Sequence, residues 1–162
     1  MSAHHAEYEK VIVVTESIFS MDGDEADLNR LVRLKRQYDR VLLYVDEAHA
    51  VGVRGEHGLG CAEEQGCIGE IDFLCGTFGK ALASVGGYVV CSRTVHDYLV
   101  NKMRTLIFTT ALPPVNLMWT YFIIERLAQF RDRRQHLQRL SFQLKEGLLA
   151  AGYECPSTSH II

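Results

Sequence analysis

A lysine among small residues follows a carboxylate and an imidazole along the chain. Lys80 lies in the segment TFGKALAS (77–84), and Asp46 and His49 bound the segment DEAH (46–49). An amine can condense with an aldehyde, and a carboxylate can keep a pyridine nitrogen protonated so that the ring accepts electrons from a carbanion. Enzymes that use pyridoxal 5′-phosphate (PLP) need such a set of groups. We therefore predict a PLP site with Lys80 as the amine and Asp46 as the carboxylate.

The sequence around the lysine suits a buried site. Residues 71–76 (IDFLCG) predict a strand that runs into a loop, and residues 81–87 are small or apolar. An isolated Gly-Lys pair is most often a surface turn, and an isolated histidine such as His49 is most often a polar residue at a strand end. The presence of both motifs in one chain favours the cofactor site over these alternatives.

Apolar runs that predict strands alternate with amphipathic helical segments, which is the parallel α/β pattern. The predicted strands are 11–15, 41–45, 73–75, 87–91 and 106–109, and the predicted helices are 27–38, 93–104 and a long stretch over 115–151. In an open α/β sheet, ligands bind at the carboxyl ends of the strands. Ser20, Asp46 and Thr77 each follow a strand, so we expect them to converge at this edge.

The composition is that of an ordinary soluble globular chain of about one domain, with 162 residues, 48% of them hydrophobic and 23% charged. A net charge of −3 provides no basic field to attract nucleic acid or anionic lipid. No apolar run approaches the roughly 18 residues of a membrane helix. Five cysteines without a Cys-x-x-Cys pair predict reduced thiols rather than a metal site. We therefore expect a cytoplasmic protein without nucleic-acid or membrane partners.

Four sequence blocks, in this order, carry a family resemblance. They are ESIFSMDGD (16–24), DEAHAVG (46–52), TFGK (77–80) and FTTALPP (108–114). From about residue 11 to its end, the chain resembles the α-oxoamine synthases, a family of fold-type I PLP enzymes with a class II aminotransferase-like fold. Within that family, residues 52–67 are most similar to the 8-amino-7-oxononanoate synthases of biotin synthesis. The resemblance implies an α/β fold, in which a mostly parallel sheet with flanking helices forms part of the large domain.

The resemblance implies three catalytic residues. Lys80 corresponds to the lysine that condenses with the cofactor aldehyde. Asp46 corresponds to the partner of the pyridine nitrogen, and His49 to the hydrogen-bond partner of the phenolic oxygen.

Four further residues match cofactor-binding positions of the family. Thr77 corresponds to a phosphate-binding residue, and Ser20 to a serine that contacts the cofactor. Thr109 and Thr110 match a segment that reaches the phosphate of the neighbouring subunit. This last match implies a homodimer for the full-length protein.

The implied reaction is the decarboxylative condensation of a small amino acid with an acyl thioester. The amine of Lys80, once freed, would remove a proton from the α-carbon of the amino acid. In 8-amino-7-oxononanoate synthases the substrates are L-alanine and pimeloyl-CoA or pimeloyl-ACP. Glycine C-acetyltransferases and serine palmitoyltransferases share the segments present here, so both remain alternatives.

The resemblance also implies how the chain is organised. Residues 1–114 correspond to the central part of the PLP-binding large domain, 115–151 to a long helical segment that leads to the small domain, and 152–162 to the start of that domain. Chains of the family are more than twice as long, and their upstream part supplies a ring that stacks on the cofactor. We therefore expect a fragment with little or no turnover by itself.

Two hypotheses from other functional classes remain. The segment 46–49 spells the DEAH box of nucleic-acid helicases, in which the acids hold magnesium at a nucleotide phosphate. A four-letter match is weak, and TFGK (77–80) replaces the Ser-Ala-Thr segment expected some thirty residues downstream. The other hypothesis is a non-catalytic remnant that binds a partner through its sheet edges. A yellow colour on addition of PLP would distinguish a competent site from a remnant.

Overall fold

The computed structural model describes residues 7–162, which contain one four-stranded sheet. Its strands are β1 (Val11–Glu16), β2 (Val41–Asp46), β3 (Phe73–Thr77) and β4 (Gly87–Cys91), in the spatial order β1-β2-β3-β4. Strands β1, β2 and β3 are parallel, and β4 is antiparallel to β3. The predicted α/β fold with a mostly parallel sheet is confirmed. Four of the five predicted strands lie within two residues of their predicted limits.

Strand β2 forms the centre of the hydrophobic core. Its alternate residues Val41, Leu43 and Val45 are at most 2% exposed, and Leu28 and Val32 belong to the same buried cluster. A continuous apolar run of this kind is typical of a strand that is covered on both faces. The carboxyl end of β2, where Asp46 lies, is therefore fixed by a well-packed strand.

The described residues form six α-helices. They are α1 (Leu28–Gln37), α2 (Cys61–Glu64), α3 (Arg93–Lys102), α4 (Arg104–Ile107), α5 (Pro114–Ile124) and α6 (Arg131–Ala150). Helix α1 begins after Asp27, whose side chain accepts a hydrogen bond from the N–H of Arg30 at 2.8 Å. This contact satisfies one of the free donors at the start of the helix.

The predicted strand 106–109 is wrong. The chain forms the helical turn α4 there, and the N–H of Phe108 donates to the carbonyl oxygen of Arg104 at 2.9 Å. A run of so few apolar residues has no clear period, and no neighbouring strand pairs with it. The preceding helix α3 also ends earlier than predicted, at Lys102, because Met103 has a backbone ψ of 103° that does not continue a helix.

The predicted helical stretch 115–151 exists but is interrupted. Helix α5 ends at Ile124, a 3₁₀ turn covers Leu127–Phe130, and α6 follows. Arg134 lies at this break with 5% of its surface exposed, and its guanidinium donates to the carbonyl oxygens of Leu127 and Glu56. Ends of helices leave carbonyl groups without partners, so a buried guanidinium stabilises the break.

All five cysteines are unpaired, and Cys61, Cys67 and Cys75 are buried. Within residues 7–162, no helix combines the length and the apolar character that a membrane crossing requires. In the same part of the chain, no three His, Cys, Asp or Glu side chains are grouped so that they could hold a metal ion.

Candidate active site

Two of the predicted site residues end neighbouring parallel strands. Asp46 is the last residue of β2, and Thr77 is the last residue of β3. Asp46 is paired with Cys75 in the register of the two strands, so Thr77 extends two residues beyond it at the same edge. The parallel arrangement therefore brings their side chains to one end of the sheet, as the sequence predicts.

Lys80 and His49 are in direct contact. The Lys80 Nζ lies 2.8 Å from the His49 Nε2, although the two residues come from loops that follow different strands. Lys80 is exposed and His49 is partly buried. One of the two nitrogens donates the proton that the other accepts, so the amine has a fixed partner next to the sheet edge.

The carboxylate of Asp46 is oriented by the turn that follows it. Its Oδ1 accepts a hydrogen bond from the N–H of Ala48 at 2.7 Å. The carboxylate lines a cavity of about 510 Å³, together with Ala48, Gly76 and Thr77. Sites for small molecules and cofactors usually have volumes of roughly 300–1,000 Å³. The cavity therefore has the size of a cofactor site.

A larger groove, of about 870 Å³, adjoins this cavity and shares Tyr88 and Cys91 with it. Its walls are mostly apolar and include Leu42, Val51, Phe78 and Leu127. None of the predicted site residues lines it. A phosphorylated cofactor requires convergent polar groups, so the smaller cavity at the strand ends is the better candidate.

Thr77 organises the loop that carries the lysine. Its hydroxyl donates to the carbonyl oxygen of Gly86 at 3.2 Å and accepts from the N–H of Gly79 at 3.1 Å. The preceding residue, Gly76, leaves room for the ring of Tyr88, since a Cβ at Gly76 would lie 2.4 Å from the phenol oxygen. Burial raises the pKa of Tyr88 to about 12, so this phenol stays neutral at the edge of the cavity.

The structure does not bring Ser20, Thr109 and Thr110 into this group. All three are exposed, and no hydrogen bond joins them to Asp46, His49, Thr77 or Lys80. Of the predicted site residues, only Asp46 and Thr77 line the cavity of about 510 Å³. The hydroxyl of Thr109 accepts a hydrogen bond from the N–H of Ala111 at 3.2 Å. Their roles toward a cofactor remain predictions from the resemblance.

Reasoning from the sequence missed the role of Glu47. Its side chain is completely buried and accepts three hydrogen bonds, from the hydroxyl of Ser17 and from the N–H groups of Cys61 and Ala62. Burial raises the pKa of the Glu47 carboxyl, while these hydrogen bonds act in the opposite direction. The alternation of side chains along a strand could have indicated that Glu47 is buried. Successive side chains point to opposite faces of the sheet, so Glu47 points away from the face where Asp46 lines the cavity.

A second missed residue is Arg54, in the loop after His49. Its guanidinium makes two hydrogen bonds to Glu25, at 2.5 and 3.1 Å, and two to Glu64, at 2.8 and 3.0 Å. It thereby connects the loop after β1, the loop after β2 and helix α2. Nothing in the local sequence distinguishes Arg54 from other arginines, because its partners are distant along the chain.

Comparison with known proteins identifies the family. Residues 2–162 match the family described as aminotransferase class I and II. A "Putative 8-amino-7-oxononanoate synthase" of Glaesserella parasuis is 62% identical over 141 residues, which are 87% of this chain and 37% of that protein. The protein of the same name from Neisseria meningitidis is 55% identical over 155 residues, which are 96% of this chain and 41% of that protein. The chain thus spans well under half the length of these relatives.

Solved structures agree with the sequence comparison. The serine palmitoyltransferase of Sphingomonas wittichii matches with a TM-score of 0.85 and 35% identity, over 93% of this chain and 37% of that chain. The 8-amino-7-oxononanoate synthase of Francisella tularensis matches with a TM-score of 0.79 and 29% identity, over 93% of this chain and 44% of that chain. A serine palmitoyltransferase variant from S. paucimobilis, with 34% identity and a TM-score of 0.85 over 92% of this chain and 38% of that chain, has a bound PLP-myriocin aldimine.

These matches confirm the resemblance inferred from the four sequence blocks and the fold-type I architecture. They favour the PLP enzyme over the helicase hypothesis. The chain belongs to the aminotransferase class I and II family.

Proposed function

We propose that this chain carries the cofactor-binding part of a PLP-dependent α-oxoamine synthase. The observation that carries the proposal is the 2.8 Å contact between the Lys80 Nζ and the His49 Nε2 beside the strand end that bears Asp46. Further support comes from Asp46 and Thr77, which line one cavity at the carboxyl ends of their strands, although Lys80 and His49 do not line it.

The groups at this edge match the functional groups of PLP. Asp46 would hold the pyridine nitrogen, His49 the phenolic oxygen and Lys80 the aldehyde. Thr77 and the N–H of Gly79, which are already joined by a hydrogen bond, would hold the phosphate. A hydroxyl and a backbone N–H are common phosphate ligands. The set of groups therefore fits the cofactor, with the hydroxyl and the N–H exchanging their present hydrogen bonds to Gly86 and Thr77 for the phosphate.

The chemistry is divided between the cofactor and the chain. When bound, PLP supplies an aldehyde and an electron-withdrawing ring that stabilises negative charge on a substrate carbon. The Lys80 Nζ would take the proton from that carbon, and the His49 Nε2 is near enough to share it. The carboxylate of Asp46, held by the N–H of Ala48, would keep a proton on the pyridine nitrogen.

We propose the condensation of L-alanine with pimeloyl-CoA or pimeloyl-ACP, as part of biotin synthesis, for the full-length protein. Support comes from relatives at 55–62% identity that bear the name 8-amino-7-oxononanoate synthase. A serine palmitoyltransferase-like or glycine C-acetyltransferase activity is the second candidate, because serine palmitoyltransferases are among the structural matches, with TM-scores up to 0.85. Product formation by the full-length protein with alanine, serine or glycine and the matching thioesters would distinguish them.

The cofactor assignment is tested by trapping. The chain is mixed with PLP, reduced with borohydride, digested and examined by mass spectrometry. We expect the adduct on the peptide that contains Lys80, its loss in Lys80→Ala and its retention in Lys102→Ala, which removes another lysine exposed at the surface. Adducts spread evenly over several lysines would contradict the proposal.

We further propose that the 162 residues alone catalyse little or no turnover and that the full-length protein acts as a homodimer. Support comes from the exposure of Lys80 and from the small share of the relatives' length that the chain spans. In a dimer, Thr109 and Thr110 would reach the phosphate bound by the partner. Formation of product from alanine and a pimeloyl thioester by the isolated chain, at a rate similar to that of the full-length protein, would overturn the first part.

A further inference from the structure

Glu47, the second residue of the DEAH segment, has a carboxylate that is buried away from the candidate cofactor site. The side chain of Glu47 is 0% exposed. Its Oε2 accepts hydrogen bonds from the hydroxyl of Ser17 at 2.7 Å and from the N–H of Cys61 at 3.0 Å, and its Oε1 accepts from the N–H of Ala62 at 2.7 Å. A buried carboxylate requires such partners. Three donors from two distant segments therefore converge on one side chain.

These donors connect the ends of several elements. Ser17 directly follows β1, and its own N–H donates to the carbonyl oxygen of Asp46 at 2.9 Å. Cys61 and Ala62 form the first turn of α2. The N–H of Glu47 donates to the carbonyl oxygen of Cys75 in β3 at 2.8 Å. Glu47 thus joins the carboxyl ends of three parallel strands to the start of a helix.

The backbone of the same residue forms the turn that places the imidazole. The carbonyl oxygen of Glu47 accepts hydrogen bonds from the N–H groups of Ala50 and Val51, both at 2.8 Å. His49 lies inside this turn, with its Nε2 next to the Lys80 Nζ. A displacement of Glu47 would therefore move the imidazole relative to the amine.

The backbone of Gly60 packs closely against the carboxylate. A Cβ at Gly60 would lie 2.5 Å from Oε2 and 2.6 Å from the carboxyl carbon of Glu47. Gly60 has a φ of 109°, a conformation in which a residue with a side chain is strained. The carboxylate is therefore confined on the side of Gly60 as well as by its three donors.

We propose that Glu47 is a positioning residue, which holds the turn that carries Asp46 and His49 in the geometry that a cofactor at Lys80 requires. The proposal rests on the proposed function, because the geometry in question is that of a PLP site. The amide of Glu47→Gln has nearly the same shape, but its NH₂ group must face one of the three donors. One buried donor then loses its acceptor, and the turn is expected to relax.

The first test needs no cofactor. The ring nitrogens of His49 are observed by ¹⁵N NMR in the wild-type chain and in Lys80→Ala, which defines the signal without the lysine contact. We expect Glu47→Gln to move the His49 signal toward that of Lys80→Ala. Val41→Ala is the control, because it removes buried volume at the opposite end of β2, and it should leave the signal unchanged. An unchanged His49 signal in Glu47→Gln would overturn the proposal.

If Glu47→Gln does not fold, Ser17→Ala decides the question, because it removes one donor and keeps the carboxylate. A His49 signal that moves in the same direction supports the proposal, and an unchanged signal overturns it. Either variant serves because the NMR signal reports the contact with the lysine rather than overall stability.

The second test measures PLP affinity. We expect Glu47→Gln to weaken binding at least tenfold, while Val41→Ala, at a similar loss of thermal stability, changes it less than twofold. An equal loss in both variants would show that Glu47 acts only through overall stability. If the wild-type chain binds no PLP, the proposed function fails, and the NMR experiment alone decides whether Glu47 positions His49.

Discussion

The Lys80 Nζ and the His49 Nε2 lie within hydrogen-bond distance of each other, at 2.8 Å. Cys75 and Cys91 are other potential nucleophiles, because both line the same cavity as Asp46. Burial raises the pKa of the Cys75 thiol, so the thiol stays protonated and is a poor nucleophile at neutral pH. At the residue scale, the amine of Lys80 is the group suited to an aldehyde cofactor, because an amine forms an imine and a thiol cannot.

The role of Asp46 leads to a prediction for the full-length protein. Asp46→Asn removes the negative charge opposite the pyridine nitrogen and keeps the size of the side chain. We expect PLP to bind within a few fold of wild type, while the exchange of the α-hydrogen of alanine for deuterium slows by about a hundredfold or more. NMR of alanine in D₂O measures this rate.

The control is Asp22→Asn, which makes the same chemical change at an exposed position and should exchange at the wild-type rate. An exchange rate in Asp46→Asn equal to that of this control would refute the role given to Asp46.

At the scale of elements, the start of α2 depends on a glycine. Gly60→Ala would force a Cβ against the carboxylate of Glu47 and retain an unfavourable φ of 109°. We expect a loss of about 2–4 kcal/mol in the free energy of unfolding, from backbone strain and overpacking together. Urea denaturation measures it.

Gly66→Ala is a control for the loss of a positive-φ glycine at a site without a contact. Gly66 also has a positive φ, of 68°, but a Cβ there would meet no atom within 4 Å. We expect it to cost only about 1–2 kcal/mol, the strain of the left-handed conformation. Equal losses for both variants would mean that the contact with Glu47 contributes nothing.

The connection made by Arg54 predicts a pH dependence. The hydrogen bonds from Arg54 lower the pKa of Glu64. A carboxyl with a lowered folded-state pKa contributes stability above its unfolded pKa of about 4.3, and this contribution is lost as the pH falls through the folded value. We expect Arg54→Met to lose less stability than wild type when the pH falls below about 4.3, as measured by urea denaturation across pH 2–7.

Arg93→Met is the matched control. Arg93 makes an exposed ion pair with Asp97, with 86% of the arginine side chain accessible, so its removal should change stability little. If Arg54→Met and wild type lose stability in parallel below pH 4, the coupling to Glu64 is absent.

At the scale of the whole molecule, the described chain exposes many large apolar side chains. Val14 on β1 is 68% exposed, Phe108 is 77% exposed, and Trp119 on α5 is 44% exposed. Strand β1 lies at the edge of the sheet and pairs only with β2 within residues 7–162. Exposed apolar surface next to an open strand edge favours association between chains.

We therefore predict that the isolated chain self-associates at micromolar concentration and that Val14→Lys weakens this association. The free energy of unfolding should stay within about 0.5 kcal/mol, because the side chain is exposed. Sedimentation velocity measures the association. Gln37→Lys adds the same charge at an exposed helix end and should not change it. Equal sedimentation of Val14→Lys and wild type would contradict the prediction.

Local patterns in the sequence predicted much of the fold. The run VLLYV (41–45) and its neighbours predicted four strands, and the alternation with helices predicted their mostly parallel order. The predicted strand 106–109 was wrong, since three consecutive apolar residues fit a helical turn as well as a strand. The break before α6 could not be predicted either, because the partner of the buried Arg134 guanidinium at Glu56 is 78 residues away.

The sequence by itself determined the chemical groups of the candidate site and the strand ends that bear them, because residue type and local period are encoded within a few residues. The tertiary structure alone decided that the Lys80 Nζ meets the His49 Nε2, and that the carboxylate of Glu47 is buried among donors from two other segments. Such contacts depend on the order and register of strands that are distant along the chain. No local pattern carries that information.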